Sequence, residues 1–137
     1  MFEELTAFIP ELQQSEYGEW IIDNENDGSF EHPMQLPYVS YDKTIKDFII
    51  AVYRFVDSPE GLYLRHYQEV LAKSGIKWNS AESVKNADVS SLDGKTVMAL
   101  ILSVLRADRF CEGALLEFLQ KGIIEKWLVR LKELDHA

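Results

Sequence analysis

The densest set of chemically capable side chains is Arg106, Asp108, Arg109 and Glu112, grouped within one short stretch. Two guanidiniums at this spacing can grip a carboxylate or phosphate, because each presents a planar fork of N–H donors. Arg106 is expected near the C-terminus of one helix, where the macrodipole favours a cation. Arg109 is expected at the N-terminus of the next, whose free N–H groups attract anions. Gly113 would then let another backbone or a ligand approach closely. One reading is therefore a binding site for a small anion, in an enzyme or a ligand-binding protein. The other is structural: the arginines pair with Asp108, Glu112 or acids elsewhere and tie the fold together.

Other constellations are poorer. Residues 23–28, Asp-Asn-Glu-Asn-Asp-Gly, resemble the opening of a calcium loop, with oxygen ligands alternating before a glycine turn. The match fails at Glu25 in the third position and at Met34 where a bidentate glutamate belongs, and Pro33 blocks the exiting helix. An acidic turn is the expectation there. His32, His66 and His136 share no ligand spacing, and the single Cys111 cannot build a structural zinc site. No metal is expected. His66 is expected on an apolar helical face, and Cys111 on an inward stripe, rather than as a nucleophile–base pair. No phosphate-cradling glycine loop and no nucleophile elbow is present. No catalytic residue is assigned and no cofactor is expected.

The elements that must position these residues follow from periodicity. Phe2, Leu5, Phe8, Ile9 and Leu12 fall on one helical stripe, with Pro10 forcing either a kink or a new helical start. Residues 15–42 are not helical. Trp20, Ile21 and Ile22 form a β-prone run, Asp27-Gly28 is a turn dipeptide, and residues 29–34 are the expected return strand. Pro33 and Pro37 then hold an extended arm carrying Tyr38 and Tyr41. Trp20, Tyr38 and Tyr41 are candidate binding residues, on a segment that could close over the arginine cluster.

Asp42 should cap a helix burying Ile45, Phe48, Ile49, Val52, Tyr53 and Val56. Ser58-Pro59-Glu60 should open the next, through Leu62, Tyr63, His66, Tyr67, Val70 and Leu71 to Gly75. A short helix is expected over 79–86, with Asn79 and Glu82 spaced as a near capping box. Ser90 or Ser91 should cap a helix burying Val97, Leu100, Ile101, Val104 and Leu105. Asp108 should cap another with Phe110, Cys111, Ala114, Leu115, Phe118 and Leu119 inward. Gly122 ends it, and Ile124, Trp127, Leu128, Leu131 and Leu134 mark the last. The expected fold is mainly α: one domain over residues 1–137. It would be a bundle of about five to seven helices, with a small β-hairpin or extended arm near residues 19–41.

The chain has 137 residues and a net charge of −9, and 47% of it is hydrophobic, enough for a substantial core. No apolar run approaches the ~18 residues of a membrane span, and the acidic N-terminus is unlike a signal peptide. A lone cysteine fits a reducing cytoplasm. The charge is uneven. Residues 1–42 hold ten acids and no lysine or arginine, whereas the remainder nets +1. Such a surface repels phosphate backbones, so nucleic acid is not an expected partner, and neither is a membrane. It could instead steer a basic protein. A solvated face, or one neutralising the later arginines, is the plainer alternative.

Several strings resemble an uncharacterised bacterial family, a domain of unknown function. They are Phe8-Ile9-Pro10, Tyr17-Gly18-Glu19-Trp20, residues 35–41 (Gln-Leu-Pro-Tyr-Val-Ser-Tyr), residues 106–113 (Arg-Ala-Asp-Arg-Phe-Cys-Glu-Gly), and Gly122 followed by residues 128–134. They span nearly the whole chain in order. The resemblance implies a small bacterial intracellular protein and brings no catalytic assignment. The function expected is a non-enzymatic protein-interaction or regulatory module with a basic partner. The alternatives are an enzyme or anion binder at the 106–112 junction, and a homo-oligomer paired through amphipathic helices.

Overall fold

Ten consecutive residues, 96–105, are buried, so the helix that carries them is covered on every side. In the computed structural model, residues 1–34, 36–78 and 81–137 are described, the side chains of 81 and 82 excepted. The central helix is α5, Gly94–Asp108. The other helices are α1 (Glu3–Thr6), α2 (Ile9–Gln14), α3 (Lys43–Asp57), α4 (Tyr67–Lys73), α6 (Ala114–Gln120) and α7 (Ile123–Asp135), with 3-10 helices at Pro59–His66 and Ala81–Val84. Helix α5 packs against α4, α6, α7 and the longer 3-10 helix. The polar side chains this burial encloses are satisfied. The Ser103 hydroxyl donates to the Leu100 carbonyl at 2.7 Å, and the Thr96 hydroxyl donates to Asp93 at 2.7 Å. The fold is mainly α with one two-stranded antiparallel ribbon, and no described helix is long and apolar enough to cross a membrane.

Local chemistry explains most boundaries. Pro10 starts a new helix rather than kinking one: α1 ends at Thr6, and Pro10 sits in the first turn of α2. The stripe survives the break, with Phe2, Leu5, Ile9 and Leu12 buried. Asp42 caps α3 by accepting from the Ile45 N–H at 3.0 Å. Gly122, at φ 74, separates α6 from α7.

Four expectations are corrected. The return strand is not residues 29–34, which turn in solvent around Phe30. The ribbon instead pairs β1 (Gly18–Ile21) with β2 (Tyr38–Tyr41), so the proline-held arm is itself the second strand. The cap of α5 is Asp93, which accepts from the Thr96 N–H at 2.9 Å; Ser90 and Ser91 lie upstream of the helix start, and Ser90 donates to Asp88 instead. Phe110 and Cys111 do not face inward. Helix α5 runs on through Asp108, and the following turn exposes both.

The fourth correction concerns residues 59–66, which form a 3-10 rather than an α-helix. Its three-residue period buries Gly61 and Leu64 while exposing Leu62 and His66. Gly61 is required there, since a Cβ would overlap the Phe55 carbonyl. The Asn79–Glu82 capping pair lies outside the described residues.

The 3-10 register makes a direct prediction. Leu64→Ala should cost about 2–5 kcal/mol, as a fully buried leucine does, and Leu62→Ala less than about 0.5 kcal/mol. Denaturant melts of the two variants check this, and comparable losses would contradict the register.

Candidate functional site

Ribbon and helical body meet at the turn between α5 and α6, and the contact is made by side chains rather than by sheet. Because cross-strand neighbours share a face, Trp20, Val39 and Tyr41 lie together on one side of the ribbon. The Tyr41 hydroxyl donates to Asp108 Oδ1 at 2.9 Å and accepts from the Leu116 N–H at 3.2 Å. The same Asp108 oxygen accepts from the Leu115 N–H at 3.0 Å. Glu112 Oε1 accepts from the Val39 N–H at 2.8 Å, satisfying a backbone donor on the outer side of β2. Trp20 lies against Gly113, which sits at φ 89 and has no room for a Cβ beside the indole.

Asp108 thus belongs to α5 yet serves the first turn of α6, seven residues on. The expected cap is present in function, although the helix it caps begins later than its position suggested. Burial holds the Asp108 carboxyl above the usual aspartate range. The Leu115 N–H and the Tyr41 hydroxyl pull it back, and nearby Glu112 raises it. Burial, followed by the charge of Asp108, raises Tyr41, so its hydroxyl stays protonated and donates.

The two arginines stand apart from this network. Among the described residues neither forms an ion pair, and both are exposed. The Arg109 guanidinium lies 5.8 Å from the centre of the Tyr53 ring, within cation–π range. Two amides of α6 that an incoming anion would use are already occupied by Asp108 and Tyr41. Of the remaining candidates, Tyr38 pairs with Ile21 on the opposite face of the ribbon and is exposed.

A second feature escaped the motif search. A groove of about 710 Å³ runs between α2, the ribbon and the start of α3, lined by Glu11, Glu16, Glu19 and Asp42 together with uncharged residues. Asp42 is engaged by Ile45 and by the Ser15 hydroxyl at 2.5 Å. Glu11, Glu16 and Glu19 have no side-chain hydrogen bond or ion pair among the described residues. The base-free composition of residues 1–42 was the available signal. It located the region but not the groove.

The calcium-like loop is a set of side-chain turns. Asp23 accepts from the N–H groups of Glu25 and Asn26, each at 3.1 Å, and Asp27 from that of Ser29 at 2.9 Å. Among the described residues, no three His, Cys, Asp or Glu side chains gather as they would around a metal ion.

Comparison with known proteins adds a family. Over residues 1–137 the chain matches the model of a Family of unknown function (DUF6508). The chain belongs to this family. No curated protein and no solved structure matches it significantly. In this DUF6508 domain, segments 17–20, 36–41 and 106–113 supply contacts between ribbon and helices. Trp20 meets Gly113, Val39 meets Glu112, and Tyr41 meets Asp108.

Two expectations follow. Because the folded Asp108 is raised above its unfolded value, its contribution to stability is full below the ordinary aspartate range and is lost as pH rises through the raised value. Asp108→Asn keeps an oxygen for Tyr41 and Leu115 but cannot ionise. From about pH 4 upward, wild type should therefore lose stability relative to this variant until the carboxyl is ionised, then run parallel to it. Thermal melts of both proteins across that range measure the difference, and a constant gap would contradict it.

Gly113→Ala should destabilise more than Gly75→Ala. Both glycines have positive φ, worth about 1–2 kcal/mol, but only Gly113 has a neighbour in the way. Removing the indole with Trp20→Ala should narrow the gap in denaturation midpoint.

Proposed function

We propose that this protein is a non-enzymatic interaction module whose acidic N-terminal third engages a basic protein partner. The observation that carries the reading is the groove lined by Glu11, Glu16, Glu19 and Asp42 with no lysine or arginine on its walls. Three of those carboxylates have no side-chain partner among the described residues. Exposed like charges brought together repel one another, and a cationic segment entering the groove relieves that repulsion. Complementary charge also speeds encounter and makes association sensitive to salt.

Elsewhere, several acids and bases of the helical body pair within the chain. Lys85 and Lys121 pair with Glu117, Arg130 reaches the Leu92 carbonyl, and Lys43 pairs with Asp47. The groove's glutamates are not part of that internal pairing, which supports an external role for them.

The test is capture from native lysate at low and high salt, with the chain compared to a Glu11→Gln, Glu16→Gln, Glu19→Gln variant. These substitutions keep shape and remove charge. The expected result is a specific partner held at low salt, released at high salt, and bound with an association rate at least about tenfold lower by the variant. Recovery of nothing specific, or equal capture by the variant, would sink the proposal.

A further inference from the structure

The outer edge of β1 is an unfilled place for a strand. The ribbon has two strands, so the side of Gly18–Ile21 away from β2 carries no described strand. The Asp42 N–H donates to the Tyr17 carbonyl at 2.9 Å, and this fixes the alternation of the ladder. Glu19 and Ile21 turn their backbone groups toward β2, whereas Gly18 and Trp20 turn theirs outward. The outward Val39 N–H of β2 is closed by Glu112, and the Gly18 N–H is bonded to the Glu16 carbonyl at 2.8 Å. Among the described residues, what remains open on β1 is the N–H and carbonyl of Trp20 and the carbonyl of Gly18.

Natural edges of this kind are usually blunted by lysine, proline or a covering loop. This one has none of them in the strand itself. It is also where apolar surface collects. Of the eleven large hydrophobics exposed among the described residues, six lie between positions 20 and 38. Ile22 and Leu36, 59% and 82% exposed, line one recess at the end of β1 together with Asp23 and Glu25. Apolar exposure concentrated in this way marks an interaction surface.

Charge decides between occupants. A second copy would set one base-free acidic segment against another, and like charges in apposition oppose that pairing. A basic strand meets the opposite condition at both ends of β1.

We infer that the β1 edge accepts an extended segment of a partner protein in which lysine or arginine alternates with apolar residues. Its backbone pairs with Trp20, its cations reach Glu16 and Glu19, and its apolar side chains cover Ile22 and Leu36. This is strand addition, in which main-chain bonds supply affinity and alternate side chains supply specificity. The inference rests on the proposed reading that the partner is basic, and adds how that partner is held.

The test uses the full chain and a labelled, end-capped peptide of about eight residues alternating lysine with valine. Its fully N-methylated counterpart keeps charge and side chains but has no backbone donor, and a third peptide carries glutamate for lysine. The parent peptide should bind and slow exchange of the Trp20 amide. Either change should weaken binding at least about tenfold, as should Ile22→Ser combined with Leu36→Ser in the chain, which removes the apolar surface without adding charge.

Equal binding of the N-methylated peptide would overturn the edge while leaving the acidic groove standing. Absence of parent binding would also overturn it. The glutamine variant of the groove, which leaves the β1 backbone intact, decides the basic-partner reading separately. Sedimentation showing dimers that protect the Trp20 amide would assign the edge to a second copy and overturn the proposal.

Discussion

Helix α5 is the constraint on which the rest depends. Residues 96–105 present apolar or internally satisfied side chains in every direction, so no single neighbour can cover them. Such a helix is stable in water only when other elements surround it. Helices α4, α6 and α7 and the 3-10 helix do so. Dense burial also explains why local irregularities are tolerated around it. The 3-10 segment sacrifices good helical hydrogen-bond geometry but brings Gly61 against the end of α3 and Leu64 into the core.

The last residue of this helix connects the core to the ribbon. Asp108 lies where α5 emerges from burial, and one of its oxygens is shared between the start of α6 and Tyr41. A ribbon of two four-residue strands is too small to be stable alone, and it acquires its position from these side-chain contacts. Trp20 on Gly113 and Glu112 on Val39 reinforce the same joint. One face of the ribbon is therefore held against the body. The opposite face and the β1 edge are left to the acidic groove and to solvent.

Much of this was legible because it is local. A carboxylate such as Asp42, three residues before a periodic apolar run, caps whatever helix follows, and a glycine such as Gly122 at the end of a stripe needs only its own φ to act. Errors came where a local rule had more than one applicant. Ser90, Ser91 and Asp93 are all capable caps, and the decision fell to where packing starts the helix, at Gly94 directly after Asp93. The apolar period carried on through Phe110 and Cys111, but Gly113 resets the helical phase, so residues on either side share no face. Among the described residues, the arginine pairing given as one of the two readings is not made either. Arg109 lies over Tyr53 from another helix, a contact that spacing along the chain cannot express.

By itself the sequence determined a mainly α chain, the positions of most helices and a first third without a single cation. These are properties of composition and of periods within a few residues, where propensity and burial act together. Tertiary structure alone decided which strand pairs with β1, and that Asp108 and Glu112 hold the ribbon while Arg106 and Arg109 stand free of it. It also decided that the acids of α2 and β1 gather in one groove. Those outcomes depend on groups brought together across dozens of residues. Chain proximity sets no preference among such partners; the packing around α5 does.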